Sequence, residues 1–197
     1  MPRRIDAEAR TEQIAAAALR VLARDGLAAL SVRGVAAEAE IAAASLRRAF
    51  PTQHALRQYC LELIEERVSA RIAALDVDGR ELVDELLAQL LPLDDERRAE
   101  FVAQIQLGVL SLTDPSLRPA ASRLSTGIDR ACLAAIEILA HSGRLDRGRD
   151  APYEAQRLRA LLDGIAMHLL WSGDAQASAQ MLHMLARHLD ELAVSDS

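Results

Sequence analysis

Apolar residues in the first fifty positions recur every three or four residues, the spacing typical of an α-helix that is buried on one side. The first such run ends at Gly26, a residue type that commonly follows the last turn of a helix. Ser31 is placed to cap a second run, and a third run from Ala43 to Phe50 ends before Pro51. The pattern therefore predicts three short helices within residues 1–51.

From Thr52 onward the apolar stripes are longer, and the first of them extends to about Leu75. Further helices are predicted near Glu81 to Leu91, Asp95 to Leu112, Pro115 to His141, Pro152 to Ser172 and Asp174 to Val194. We therefore expect an all-α protein with an N-terminal three-helix domain over residues 1–51 and a larger helical domain over residues 52–197.

The composition agrees with an all-α fold that has an aliphatic core. Of the 197 residues, 51% are apolar and 3% are aromatic, and glycine and proline are scarce. The longest run without a charged residue, Phe101 to Thr113, is shorter than the roughly 20 apolar residues that cross a bilayer. We expect no contact with a membrane and, because no secretory signal is visible, a cytoplasmic protein.

The net charge of −6 conceals an uneven distribution of charge along the chain. Residues 1–60 contain nine arginines and six acidic residues, whereas residues 61–197 contain 14 arginines and 23 acidic residues. A positively charged N-terminal part can approach phosphate groups while the acidic remainder stays away from them. The overall negative charge therefore does not exclude binding of nucleic acid by the first domain.

The second and third predicted helices fit the pattern of a helix-turn-helix module. Such a module needs a small residue where the two helices cross and a tight turn four residues later, and Ala36 and Glu40 occupy these positions. The residues spaced to face inward are Val35, Ala39, Ile41, Leu46 and Phe50. The residues left for the outside of the third helix and its flanks are Ala42, Ala43, Ser45, Arg47, Arg48 and Ala49.

The stretches Leu30 to Ala39 and Ile41 to Leu56 resemble the DNA-binding segment of TetR-type transcriptional regulators, and Leu158 to Leu170 is similar to the penultimate helix of many members. The resemblance implies a homodimer that binds operator DNA and whose C-terminal domain takes up a small-molecule effector. The chain departs from the family pattern at four places. Glu40 stands where glycine is usual and Ala42 where a hydroxyl residue is usual; Arg47 or Arg48 stands where an aromatic residue is often found, and Gln53 where lysine is frequent.

Side-chain chemistry assigns roles in DNA binding within this module. We expect Arg47 or Arg48 to bind the edge of a guanine, since a guanidinium group matches its two acceptors. Close apolar or hydroxyl contacts are assigned to Ala42, Ala43 and Ser45. Contacts to phosphate groups are assigned to Arg33, Thr52, Gln53 and His54. The alternative is that the arginines are solvated surface charges and that the alanines only favour helix formation.

The larger domain is expected to hold the effector. Candidate lining residues are Phe101, Gln104, Met167, His168, Trp171, Met181 and Met184. Because aromatic residues are scarce, such a cavity favours an apolar or amphipathic ligand over a highly charged one. The same residues would also serve as ordinary core residues of a helical domain.

The last two predicted helices carry long apolar stripes. In the family that the chain resembles, two such helices pair with their copies, and Gly164 would permit close approach. The predicted interface residues are Leu158, Leu162, Ile165, Leu169, Leu182, Leu185 and Leu189. The alternative is that these stripes pack only within one chain.

We find no catalytic or metal-binding motif: no Gly-x-Ser-x-Gly, no Gly-x-Gly-x-x-Gly, no His-Glu-x-x-His and no pair of closely spaced cysteines. No catalytic residue, metal or cofactor is therefore expected. The sequence indicates a ligand-responsive transcriptional regulator, most simply a repressor. The alternative is a helical dimer that binds a ligand or a protein without specific operator recognition, and an enzyme is the least expected class.

Overall fold

The computed structural model describes residues 2–172 and 175–193, so Asp174 and Val194, the predicted ends of the last helix, lie outside the described residues. Within these residues the chain forms α-helices and two short 3-10 helices, and no strand. The α-helices are α1 (Pro2–Asp25), α2 (Val32–Glu38), α3 (Ala43–Ala49), α4 (Gln53–Ala73), α5 (Gly79–Ala88), α6 (Asp95–Ser111), α7 (Arg118–His141), α8 (Ala151–Ser172) and α9 (Ala175–Glu191). The predicted all-α class is confirmed.

The helices from α2 onward agree with the predicted ones to within a few residues. The first helix was predicted to be short, but α1 has 24 residues, and a 3-10 helix, Leu27–Ala29, that was not predicted lies between α1 and α2. The helix predicted from Pro115 begins as a 3-10 helix, Pro115–Leu117, before α7 starts at Arg118. In the described part of the chain, none of the helices combines the length and the apolar character that crossing a bilayer requires.

The chain divides into two compact units that do not follow the predicted boundary at residue 51. Unit 1 contains the chain up to Arg67 together with Ala99–Leu124, and unit 2 contains Val68–Arg98 together with the chain from Ser125. Unit 1 therefore includes α6 from Ala99 onward and the start of α7 in addition to the predicted DNA-binding helices. The domain boundary at residue 51 stays a prediction.

In unit 1, Ser31 and Gly34 define the start of α2. The hydroxyl oxygen of Ser31 accepts a hydrogen bond from the backbone N–H of Gly34 at 3.1 Å, which is the predicted N-cap. A Cβ atom on Gly34 would lie 2.7 Å from the carbonyl oxygen of Ala29, so a larger residue does not fit there. The spacing of apolar residues pointed to Ala36 as the small residue of this module and missed Gly34.

The turn between α2 and α3 is made at Glu40, as predicted. The φ angle of this residue is 52°, in the left-handed region where a side chain costs about 1 to 2 kcal/mol. Backbone hydrogen bonds hold the turn: the N–H of Ile41 donates to the carbonyl of Ala36 at 2.9 Å. The side-chain amide of Gln13 on α1 donates to the carbonyl of Ala39 at 2.7 Å. These contacts compensate for the unfavourable conformation of Glu40.

The later helices of unit 1 are joined to the earlier ones by polar contacts. The side-chain amide of Gln106 on α6 donates to the carbonyl of Leu22 on α1 at 3.2 Å. The guanidinium of Arg123 on α7 lies 3.0 Å from the carboxylate of Glu62 on α4. Both contacts tie α6 and α7 to helices of the N-terminal segment.

Unit 2 contains a buried carboxylate with two arginine partners. Glu154 on α8 is 4% exposed, and its two oxygens each lie 2.9 Å from a guanidinium, one of Arg149 and one of Arg157. Loss of one partner from such a buried group is costly, because the remaining charge stays away from water. Arg149 also donates to the backbone carbonyl of Glu191, which ties the loop before α8 to the end of α9.

We predict that Glu40→Gly stabilises the protein by about 1 kcal/mol, because glycine adopts the left-handed conformation without the cost of a Cβ atom. The measurement is the free energy of unfolding in denaturant. Ala37→Gly, an exposed position inside α2, is the matched control and should instead destabilise by about 1 kcal/mol. Equal destabilisation by both substitutions would contradict the strain at Glu40.

His188 gives a second prediction, on the pH dependence of stability. Its Nε2 atom is buried without a hydrogen-bond partner. Burial lowers the pKa of His188, Arg157 and Arg149 act in the same direction, and Glu154 and Glu191 oppose them. The unfolded chain therefore binds this proton more readily, and the free energy of unfolding should decrease as pH falls through about 6.5.

In His188→Leu this contribution is absent, so its free energy of unfolding should depend less on pH between about 7.5 and 5.5 than that of the wild type. His183→Leu is the control, because His183 lies on the same helix and is exposed. If the His188 and His183 variants keep the same pH dependence as the wild type, the assignment to His188 is wrong.

Candidate functional site

Helix α3 is short, and one buried leucine anchors it. Leu46 has no exposed surface, whereas Arg47 and Arg48 are exposed and Ser45 is half-buried. Ala42 and Ala43 are also exposed. The residues assigned to DNA contacts on α3 and at its N-cap are therefore accessible on the surface of unit 1.

Three arginines of α2 and α3 have free guanidinium groups. Arg33, Arg47 and Arg48 are exposed and have no ion pair or hydrogen bond from their side chains to any residue that the structure describes. By contrast, Arg20 and Arg24 on α1 both bind the carboxylate of Glu38, at 2.8 and 2.9 Å. The charges of Arg20 and Arg24 on α1 are therefore paired, whereas those of Arg33 and of the two arginines on α3 remain available.

The side chains at the start of α4 have partners within the chain. The hydroxyl oxygen of Thr52 accepts from the backbone N–H of Ala55 at 3.1 Å and so caps the helix. The side-chain amide of Gln53 donates to the carbonyl of Leu30 at 2.7 Å. Gln53 therefore connects α4 to the start of α2, a structural role that the sequence did not indicate. The contacts of Thr52 and Gln53 to phosphate stay predictions.

His54, also assigned to phosphate, takes part in a polar contact with the 3-10 helix before α7. Its Nδ1 atom lies 3.0 Å from the hydroxyl oxygen of Ser116, and that hydroxyl donates to the carboxylate of Asp114. Because a hydroxyl has one hydrogen, Nδ1 must donate to Ser116. In a neutral ring Nε2 is then only an acceptor, so His54 can donate to a phosphate oxygen only when it is protonated.

The same contact explains the acidity of Asp114. The hydrogen bond from the Ser116 side chain holds the pKa of Asp114 below its usual range, and the backbone N–H of Ser116 adds to this effect. The carboxylate therefore stays charged and keeps Ser116 oriented toward His54. The arrangement joins the start of α4, next to α3, to the segment that leads into α7.

The N-cap position of α3 lacks a side-chain cap. Ala42 has the extended backbone of an N-cap residue, but no side chain accepts a hydrogen bond there. The absent cap is worth about 1 kcal/mol. The helix is held instead by its buried leucine and by the ring contact of Phe50 with Tyr59 on α4, whose centroids are 4.8 Å apart.

The residues predicted to line an effector cavity are divided between the two units. Phe101 and Gln104 are half-buried in unit 1. In unit 2, Met167 and Met181 are half-buried, but Trp171 is 70% exposed and Met184 is 46% exposed. His168 is exposed as well and contacts the ring of Trp171 edge-on. His168, Trp171 and Met184 therefore lie on the surface of the protomer, and the role of the seven residues in an effector cavity stays a prediction.

Unit 2 instead has an open groove between α8 and α9, with a volume of about 390 Å³. Of the predicted cavity residues, the groove includes only Met184. Its lining residues are Leu161, Gln180, His183, Met184, Arg187, His188 and Glu191.

The predicted interface leucines are mostly core residues of the protomer. The assignment to a dimer interface is corrected for six of them, because side chains with at most 6% of their surface exposed have almost none left to offer to a second copy. These six are Leu158, Leu162, Ile165, Leu169, Leu185 and Leu189. The seventh, Leu182, is 37% exposed. The alternative reading, in which the stripes pack within one chain, describes them correctly.

The two cysteines have no sign of reactivity. Cys60 and Cys132 are both buried free thiols, and burial raises the pKa of each to about 12. A thiol of this kind is protonated near neutral pH and is a poor nucleophile. Among the described residues there is also no group of three or more His, Cys, Asp or Glu side chains arranged to hold a metal ion.

The fold and the exposed α3 surface define a helix-turn-helix DNA-binding protein with a helical C-terminal region. Residues 14–60 match the family described as bacterial regulatory proteins of the tetR family, and residues 79–194 match the C-terminal domain of BetI-type transcriptional repressors. The chain therefore belongs to the TetR family, and it is a DNA-binding transcriptional regulator.

Individual relatives agree with this assignment. The HTH-type transcriptional regulator PksA of Bacillus subtilis (strain 168) is 29% identical over 200 residues, which cover 100% of this chain and 96% of PksA. The crystal structure of a transcriptional regulator from Rhodococcus sp. Rha1 has a TM-score of 0.76 and 25% identity, and the match covers 92% of this chain and 95% of that chain. The multidrug binding protein EbrR complexed with ethidium has a TM-score of 0.62 and 28% identity, over 91% of this chain and 98% of that chain.

Proposed function

We propose that this regulator is a homodimeric repressor, that α2 and α3 of each copy bind operator DNA, and that a small molecule taken up by the C-terminal region changes this binding. The observation that carries the proposal is the set of exposed guanidinium groups of Arg33, Arg47 and Arg48, which have no partner among the described residues, whereas Arg20 and Arg24 on α1 are paired with Glu38. Unneutralised arginines on one surface supply the electrostatic part of binding to DNA. Such a protein acts in the cytoplasm, where the DNA of a bacterium lies.

We infer that Arg33 contacts a phosphate group and that the side chains of α3 contact bases. Arg33 lies near the start of α2, outside α3, and is exposed. Arginines outside the recognition helix commonly bind the backbone of the duplex and fix its position without reading sequence. Thr52 and a protonated His54 remain candidates for further phosphate contacts, and Gln53 would contribute only through its second amide hydrogen.

The effector is proposed to be apolar or amphipathic. The core of the chain is built mainly from leucine, isoleucine, valine and alanine, so a cavity that opens within it would offer few charged partners, unlike the surface groove between α8 and α9. EbrR, a relative of similar fold, is a multidrug binding protein that was crystallised with ethidium, a flat aromatic cation. Uptake of a largely apolar molecule by the C-terminal region is consistent with both observations.

The proposed dimer interface uses the outer surface of α8 rather than its leucines. Ala160, Gly164, His168 and Trp171 are exposed and follow one another at intervals of three or four residues, so they form one stripe on the side of α8 away from the buried leucines. A Cβ atom on Gly164 would meet nothing within 4 Å, which leaves room for a neighbouring helix. The apolar surface of Trp171 at the end of this stripe is typical of an interface.

A dimer also suits the reading of DNA, because two recognition helices about 34 Å apart meet successive major grooves on one side of a duplex. The alternative function is a helical dimer that binds a ligand or a protein without operator specificity. The absence of a side-chain cap on α3 favours this alternative, since it weakens the helix that would enter the groove.

For DNA binding, we predict that Arg47→Ala and Arg48→Ala together weaken binding to the DNA that flanks the gene by about tenfold or more, since an arginine contact to guanine is worth about 1 to 3 kcal/mol. Arg33→Ala should reduce the slope of log affinity against log salt concentration by about one, the value expected for the loss of one phosphate contact. The measurement is fluorescence anisotropy with labelled duplex at several salt concentrations.

Arg130→Ala is the matched control, because Arg130 on α7 is also exposed and also has no ion pair among the described residues, but belongs to unit 2. The Arg130→Ala variant should bind DNA with the same affinity as the wild type. Unchanged affinity in the Arg47 and Arg48 double variant would contradict the proposed site. Binding by the wild type that is weak and equal for all sequences would favour the alternative function.

For the dimer, we predict that Gly164→Arg shifts the protein from dimer to monomer at micromolar concentration, with dimerisation about tenfold weaker or more, because a bulky charged side chain would be buried in the interface. The measurement is sedimentation equilibrium. Gly127→Arg is the control, since Gly127 lies within α7, is exposed and also has nothing within 4 Å of its Cβ position. A dimer in the Gly164 variant, or a monomeric wild type, would show that this surface is not the interface.

A further inference from the structure

We infer that Arg48, and not Arg47, binds the guanine of each operator half-site, that the methyl group of Ala44 lies against a neighbouring thymine methyl, and that Arg47 binds the phosphate backbone. The inference rests on the proposed binding of operator DNA by α3. It assigns a base preference to that surface and separates the roles of two adjacent arginines that the sequence left as alternatives.

The orientation of α3 is set by the buried Leu46. Side chains in an α-helix are about 100° apart around the axis, so Ala44 and Arg48, each two residues from Leu46, project about 160° away from it. Arg47, the next residue, projects only about 100° away from Leu46. Arg48 and Ala44 therefore point most directly away from the body of unit 1, while Arg47 points along its side.

Ala44 and Arg48 are also neighbours on this surface, because residues four apart lie one above the other on a helix. Both are exposed. When α3 lies in a major groove, the side chains opposite the buried anchor meet the base edges, and those at the side meet the sugar-phosphate backbone. This geometry places Arg48 and Ala44 over bases and Arg47 beside a phosphate.

The chemistry of the outward side chains limits which bases can be read. Guanine presents two acceptors in the major groove and matches a guanidinium, and thymine presents a methyl group that matches an alanine. Adenine is commonly read by asparagine or glutamine, and cytosine by a carboxylate, and α3 contains none of these residues. The half-site is therefore expected to contain a guanine next to a thymine, with few other positions specified by direct contact.

Neither arginine is held by a competing carboxylate. Among the described residues, Arg47 and Arg48 have no side-chain partner, and α3 carries no acidic residue. Both guanidinium groups are free to bind DNA without breaking an ion pair. Their different directions on the helix, and not a difference in pairing, then separate their roles.

The test starts with the full-length chain and a pool of random duplexes, from which bound sequences are recovered and sequenced. In the enriched duplex, the guanines are replaced one position at a time by 7-deazaguanine, which lacks the N7 acceptor. One such replacement in each half-site should weaken wild-type binding by about tenfold. In Arg48→Ala the same replacement should cause almost no further loss, because the partner of N7 is already absent.

Arg47→Ala is the matched control in this experiment. This variant should lose as much affinity as the wild type when guanine is replaced by 7-deazaguanine. Its slope of log affinity against log salt concentration should be smaller by about one, as expected for the loss of one phosphate contact. If the effect of 7-deazaguanine persists in Arg48→Ala, or disappears in Arg47→Ala, the assignment of the two arginines is overturned.

The thymine contact is tested by replacing thymine with uracil, which removes one methyl group and should weaken wild-type binding by about three- to fourfold. Ala44→Gly should abolish this effect, whereas Ala49→Gly, the same change at another exposed position of α3, should retain it. A uracil effect that survives in Ala44→Gly would overturn the contact. Enrichment of no sequence at all would overturn the proposed operator binding itself, whereas an enriched sequence without these effects would overturn only the present inference.

Discussion

The backbone turn at Glu40 determines how this protein presents its DNA-binding surface. The left-handed conformation of this residue reverses the chain between α2 and α3 and directs Leu46 into the core. Hydrogen bonds to the carbonyls of Ala36 and Ala39 hold the turn in place. Since α3 is a single short helix with one fully buried side chain, the direction of every other residue on it follows from this one anchor.

The positive charge that the N-terminal segment can offer to DNA depends on which of its arginines are paired with carboxylates as well as on how many arginines it contains. Arg20 and Arg24 are paired with Glu38, and Arg24 also with Asp25; in unit 2, Arg149 and Arg157 share the carboxylate of Glu154. Among the described residues the arginines of α2 and α3 lack such partners, so their positive charge stays available to a phosphate or a base. These available charges account for a DNA-binding protein whose net charge is −6.

Helix α8 has two sides with different uses. Its leucines pack within unit 2, and its outer side carries Gly164 and the exposed Trp171. Because the leucine stripe is buried within the protomer, only the other side of α8 is available for contact with a second copy. The stability of the protomer and the proposed pairing of two protomers therefore rest on different residues of the same helix.

The sequence by itself determined the all-α class, the cap at Ser31 and the turn at Glu40, because these depend on local conformational preference and on the spacing of nearby residues. Its resemblance to TetR-type regulators was also visible in the sequence, and the family matches confirm it. Only the tertiary structure decided where the apolar stripe of α8 packs, since such a stripe is satisfied equally by its own chain or by another. It also decided the partners of Gln53 and His54, which lie 23 and 62 positions away along the chain. Local spacing contains no information on contacts at that distance, because they form only when the helices pack together.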